Sequence, residues 1–232
     1  MYPWPAADGE HGGSPHVHLA CAEAYVVIGG QGRLETLDHT GHKVTPPHQG
    51  DVVWFTSGTI HRAVNDGDLQ VLVVMQNSGL PEVGDAVMAF PSEYPTPEKY
   101  ASAACVLGAD GGPDEARARV RRDLALEGFA ELTRAWRLGD RSAFERFCRS
   151  AADIVRPRPD AWQQTVETGA LAAAHRTLRQ IGALRTGDWS HLANAEVTRI
   201  VPPQQSLGMC GHLHAYDQVR RTAGPEPRDC QP

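Results

Sequence analysis

Apolar and polar positions change their period once along the 232 residues. Up to about Gln76, short β-branched and aromatic runs alternate with turn residues. The runs are 24–30 (AYVVIGG), 32–38 (GRLETLD), 51–58 (DVVWFTSG) and 69–77 (LQVLVVMQN). Several short strands at near-even spacing predict an all-β sandwich or barrel. The glycines of 29–32 (GGQG) read as a hairpin turn, not as a phosphate loop, because no helix follows them. The Pro- and Gly-rich stretch 79–100 reads as a covering loop.

From about Asp114 the period becomes helical. Val120, Leu124, Phe129, Leu132 and Trp136 recur near every 3.6 residues, and Gly139 is placed to stop that helix. Ser142 with Glu145 has the spacing of a capping box for a second helix, whose apolar face is Phe144, Phe147, Cys148, Ala151 and Ile154. Pro157 and Pro159 end it, and a third helix is expected from about 160 to 183. Strand-like alternation returns at 196–201 and 211–219, before a polar tail. This divides the chain into a β domain over 1–110 and a helical extension over 111–220. The last strands of the extension are expected to complete the sheet, because an open sheet edge is an aggregation hazard. The tail, 221–232, is expected to be disordered.

Composition narrows the function classes. Hydrophobic residues make up 41% and charged residues 22%, enough for a sizeable core, and the net charge is −6. That balance, without a basic run, argues against nucleic acid or an anionic membrane as partner. No apolar stretch approaches the ~20 residues of a bilayer span, and the first residues lack the basic and apolar regions of a signal peptide. Cys21, Cys105, Cys148, Cys210 and Cys230 form no CxxC pair. A reduced, cytoplasmic setting is the expectation.

The candidate chemistry lies in 14–35. His16 and His18 are two apart, so on a strand both rings leave one face, and Glu23 follows at the head of an apolar run. Two imidazoles and a carboxylate make a poor core and a good cation site. A second stretch, 50–65, places His61 after a turn at Gly58. Together the stretches read His-x-His-x4-Glu-x6-Gly (His16, His18, Glu23, Gly30) and Gly-x5-Thr-x-Gly-x2-His-x3-Asn (Gly50, Thr56, Gly58, His61, Asn65). These resemble the two motifs of the cupin superfamily. Glu10 stands where the first motif usually opens with glycine, and Thr56 where the second usually has proline; neither is a ligand position. The resemblance implies a mainly β protein, a double-stranded β-helix barrel of jelly-roll type with an added C-terminal helical region. It implies that His16, His18, Glu23 and His61 bind one divalent cation at the barrel mouth, and that the protein is a homodimer.

Three neutral imidazoles and one carboxylate leave a charge near +1 around a divalent ion, and suit Fe, Mn, Ni, Co or Zn better than Ca or Mg. By strand alternation Tyr25, Asn65 and Gln76 are candidates to line a substrate cavity. The expected partner is a small organic molecule. The favoured activity is a dioxygenase-type oxidoreductase; the alternatives are a metal-dependent isomerase, cyclase or lyase, and a non-catalytic ligand sensor. A second ligand-rich cluster, Cys210, His212 and His214, lacks a following glutamate and reads as structural or surface, with a second, degenerate cupin repeat as the alternative. Trp54 and Phe55 are adjacent, so they must face opposite sides of their strand, and one needs cover from the helices or a second subunit.

Overall fold

The computed structural model describes residues 1–77, 79–94 and 96–216. Six strands form one antiparallel sheet: β1 (His16–His18), β2 (Glu23–Asp38), β3 (Gly41–Thr45), β4 (Val52–Phe55), β5 (Ile60–Met75) and β6 (Ala86–Met88). Their order is β3-β2-β5-β1-β6, with β4 beside β2. The expected hairpin turn at 29–32 is absent. β2 runs through it, and β5 likewise runs through the Gly-Asp segment at 67–68. The ladder between them shifts register at Val27/Gly29, Gln31 and Gly32. Glycine is required there because the two backbones cross at contact distance. A Cβ on Gly30, at φ +74°, would lie 2.1 Å from the Asp68 carbonyl oxygen, and one on Gly32 would lie 2.3 Å from that of Val64. The shifts bend the long ribbon over on itself, as bulges do.

Two further expectations are corrected. The stretch 79–100 is not only a loop. It contains β6, which pairs with β1 through Val17 and Val87, and the start of a helix. Nor is the sheet a closed barrel: among the described residues no pairing joins β3 to β6. Helix makes up 37% of the structure and strand 26%, so the protein is mixed, not mainly β. The physical reason is that helices, in place of further strands, cover the sheet.

Those helices are α1 (Pro97–Ala104), α2 (Glu115–Arg137), α3 (Ser142–Val155), α4 (Pro159–Val166) and α5 (Ala172–Arg185); a wide π turn, Glu167–Leu171, joins the last two. Asp114 caps α2 by accepting from the Arg117 N–H, and Gly139 ends the turn after it with φ +85°. The expected capping box of α3 does not form. Asp140 accepts from both the Ser142 N–H and its hydroxyl, and that hydroxyl accepts from the Arg146 guanidinium, so it takes no backbone N–H of the first turn. Val17, Leu37, Ile60, Val87 and Phe90 of the sheet side pack with Phe129, Leu132, Ala151, Ile154 and Trp162 in the main core. Burying one such Phe or Trp side chain is worth about 3–5 kcal/mol against alanine. Gly128 lets α2 approach closely, since a Cβ there would sit 2.2 Å from the Ala89 carbonyl oxygen. α5 buries no side chain. No helix of the structure is long and apolar enough to cross a membrane.

The other half of the ribbon shows the alternation anticipated at Trp54 and Phe55. Phe55 is buried, whereas Trp54 is 57% exposed beside Val52, Leu72, Val74 and Ile28 on the outer face. The C-terminal strands do not extend the sheet. Residues 196–201 are irregular, and β7 (Ser206–Leu207) pairs only with β8 (His212–Leu213) as a separate hairpin. The end of the expected strand at 217–219 and the expected disordered tail at 221–232 lie outside the described residues. Two buried arginines of α2 hold the N-terminal segment and the β7–β8 hairpin: Arg122 donates to the Trp4 and Pro5 carbonyls, and Arg121 to that of Gly208.

Candidate metal centre

β1 is only three residues long, but its alternation sets the centre. Val17 turns into the helical core, and His16 and His18 turn to the opposite, inner face. The 16↔61 register of β1 and β5 places His61 directly across from His16, with ring centroids 4.2 Å apart. Glu23, the first residue of β2, reaches the same point from the far end of the bent ribbon. Its Oε2 lies 3.2 Å from His18 Nε2 and 3.1 Å from His61 Nε2. One ligand atom from each of His16, His18, Glu23 and His61 falls within 4.8 Å of the other three. Donors on opposite sides of a transition ion, each at about 2.1 Å, stand about 4.2 Å apart, so the cluster needs little contraction to close on one.

The second nitrogen of each ring explains why the first is available. His16 Nδ1 donates to the Ser14 carbonyl at 2.8 Å, and His61 Nδ1 to that of Thr59 at 3.1 Å. His18 Nδ1 meets Asp85 Oδ2 at 3.0 Å. With Nδ1 carrying the proton, each Nε2 keeps its lone pair for the cluster, the arrangement found behind metal-binding histidines. Glu23 Oε2 and His61 Nε2 are fully buried and make no hydrogen bond of good geometry. Buried polar atoms are rarely left so. A divalent cation between them satisfies both, and the donor set fits one chemically.

Burial and charge shape the protonation of the cation-free cluster. Burial, with His61 and His18 alongside, holds the His16 pKa well below the usual histidine value. Burial works against the charged form of His18 too, but its hydrogen bond to Asp85 and the carboxylate of Glu23 beside it outweigh that and hold its pKa at about 9. Burial likewise opposes ionisation of Glu23, yet His61 and His18 keep its carboxyl well below the usual range. The centre is thus built to hold a carboxylate against positive charge.

Tyr25 lies beside the centre: its ring is 3% exposed, 5.3 Å from Phe55 and 6.1 Å from His61. Asn65 and Gln76 are used elsewhere. The Asn65 side chain accepts from the Leu69 N–H at the β5 bulge, and Gln76, exposed, accepts from the Ala22 N–H. The Cys210–His212–His214 cluster does not converge. Cys210 Sγ meets the Tyr25 hydroxyl at 3.1 Å, His212 stands edge-on to Tyr2 and Trp4, and His214 Nδ1 meets the Pro203 carbonyl. Asp85 is the residue that spacing missed. Wholly buried, it accepts from the Leu19 and Ala20 N–H groups as well as His18, and it comes 67 residues after that histidine with no motif to mark it. Open hollows on α5 (Arg176, Arg179, His191) and between α1 and α2 (Tyr94, Lys99, Leu124) are lined by no buried residue, and neither has convergent ligands.

Residues 6–75 match the family model Cupin_2, a cupin domain, and that segment contains all four residues of the cluster. The chain therefore carries a cupin domain, with its buried His/His/Glu/His cluster, followed by a helical C-terminal region. No curated protein matches the chain.

Proposed function

We propose that this protein is a metal-dependent enzyme acting on a small organic molecule, most closely an oxidoreductase of dioxygenase type. The observation that supports the reading is the set of three imidazoles tied back at Nδ1, with their Nε2 atoms and one carboxylate turned to a common point. Fe or Mn in that set would supply electrons for dioxygen chemistry, whereas Ni, Co or Zn would supply Lewis acidity alone.

The chain's own residues have separable tasks. His16, His18, His61 and Glu23 hold the ion, and four protein donors leave a six-coordinate ion room for a small chelating molecule. A net charge near +1 selects substrates that offer a carboxylate, an enolate or a hydroxy-keto pair. Asp85 fixes the tautomer of His18 and strengthens its basicity. The rings of Tyr25 and Phe55 exclude water from the His61 side.

Elemental analysis of the purified protein, followed by oxygen uptake across a panel of small carboxylic, hydroxy-keto and catecholic acids, tests the reading. One bound Fe or Mn per chain with substrate-dependent oxygen uptake is the expected result. Turnover of a panel member without oxygen uptake would replace the oxidoreductase with an isomerase or lyase. Absence of any transition metal would overturn both.

A further inference from the structure

Between Trp162 and Gly211 no residue is buried, and α5 contributes nothing to the core. After this long excursion the chain returns to the cupin sheet, where the β7–β8 hairpin docks through specific contacts. The Tyr2 hydroxyl and the Arg121 guanidinium both donate to the Gly208 carbonyl, at 2.7 and 2.6 Å. The Ser14 N–H donates to the Met209 carbonyl at 2.9 Å, and the Tyr2 N–H to that of Cys210 at 3.3 Å. The fit is close enough to need glycine on both sides. A Cβ on Gly13 would lie 2.6 Å from Cys210 Cα, and one on Gly211 would lie 2.8 Å from Met1 Cα.

Two of these contacts lead straight to ligands of the centre. Ser14, held by Met209, gives its own carbonyl to His16 Nδ1. Tyr25, whose hydroxyl meets Cys210 Sγ, follows Glu23 by two residues on the same face and packs beside His61. Ser14 shares the inner side with His16 and His18 by alternation, and its hydroxyl is buried without a partner. The hairpin thus lies against the buried cluster, with Cys210 beside Tyr25 and near Glu23. All four ligand residues are at most 6% exposed, so a molecule reaches them only when a wall moves. A short hairpin fastened by a few hydrogen bonds and three partly buried side chains, Leu207, Met209 and Cys210, behind a long stretch that is never buried, has little to lose on opening.

The geometry points to residues 206–213 as a strap that seals the metal centre and swings away as a unit to admit its small ligand. This rests on reading the cluster as a binding centre, not on the reaction performed there. While docked, the strap also orients His16 through Ser14, so Met209 and Cys210 are positioning residues.

Chemical labelling of the full chain without metal tests the strap independently of activity. Diethyl pyrocarbonate reports on His16 and His61, an alkylating reagent on Cys210, and peptide mass mapping separates the sites. Cys21, 1% exposed and packed in the main core, is the internal control for unfolding. In the parent, His16, His61 and Cys210 should react far more slowly than the exposed His48. Tyr2→Phe and Arg121→Met each remove a fastening of the strap. Each should speed labelling at His16, His61 and Cys210 together by about tenfold, the effect of one lost buried hydrogen bond, with Cys21 unchanged. Tyr2→Phe keeps the ring in place, so the test does not depend on the harsher arginine variant. Faster labelling of Cys210 with His16 and His61 still protected would overturn the proposal, because the strap would then not be the gate. An equal rise at Cys21 in both variants would overturn it too, since the hairpin would open only with the whole fold.

Discussion

Glu23 and His61 sit far apart on one ladder and touch across a chamber. Glu23 pairs with Met75 and His61 with Thr36, so thirteen residues of β2 separate their rungs, about 43 Å of extended strand. Their side chains are 3.1 Å apart. The bend at 29–32 makes the difference, and the four-residue cluster exists because the ribbon folds there.

That bend gives the first prediction. Gly30→Ala places a Cβ against the Asp68 carbonyl at a positive φ, and should cost about 2–4 kcal/mol of stability and lower metal content. Gly29→Ala is the control: nothing lies within 4 Å of its added Cβ, so its stability should match the parent's within about 0.5 kcal/mol, with metal content unchanged. Equal melting curves for the two variants would mean that the crossing of β2 and β5 does not set the fold.

Replacing His16, His18 or His61 with Ala should empty the centre without unfolding the protein. The main core lies on the other face of the sheet, among Val17, Ile60, Phe129 and Trp162, and only the smaller cluster around Tyr25 and Phe55 adjoins the site. Elemental analysis should find metal lost in all three variants, with circular dichroism unchanged. Full metal retention in any of them would remove that residue from the ligand set.

Asp85→Asn tests a residue that touches the ion only through His18. The amide still fits the space and can accept from the Leu19 and Ala20 N–H groups, but it no longer supplies a charged partner to His18 Nδ1. Affinity for Zn(II), measured by competition with a chromophoric chelator, should fall about 10- to 100-fold. An unchanged affinity would reduce Asp85 to a loop anchor.

The pH dependence has a definite sign. In the metal-free protein the His18 pKa is raised to about 9 from 6.5. Its stabilising charge is therefore fully present below pH 6.5 and is lost as pH rises through about 9. The Glu23 pKa is lowered from 4.5, so its contribution is present above pH 4.5 and is lost as pH falls below that. The metal-free melting temperature should therefore peak between those limits. Metal binding must displace the His18 proton, so affinity should climb by up to about tenfold per pH unit from 6.5 to 9. Calorimetric titration at several pH values would read it, and a flat profile would mean that His18 is neutral before the metal arrives.

The four residues of the buried cluster and the helices were legible in the chain because their signals are local. His16 and His18 share a face by the two-residue period of a strand. Gly139 and Pro157 mark helix ends within a turn of where the structure puts them. The same period separates Phe55 from Trp54, one buried and the other exposed. Other features depend on residues meeting from far apart, and no spacing encodes those meetings. The glycines of 29–32 have the composition of a turn, and only the approach of 64–68 makes them a crossing within two continuous strands. Asp85 reads as an ordinary loop acid until β6 pairs with β1 and brings it under His18. Cys210 looks like part of a ligand cluster with His212 and His214, yet the hairpin turns their side chains to three different partners. Local sequence determines which way a side chain leaves its own backbone; only the packing of distant segments decides what it meets.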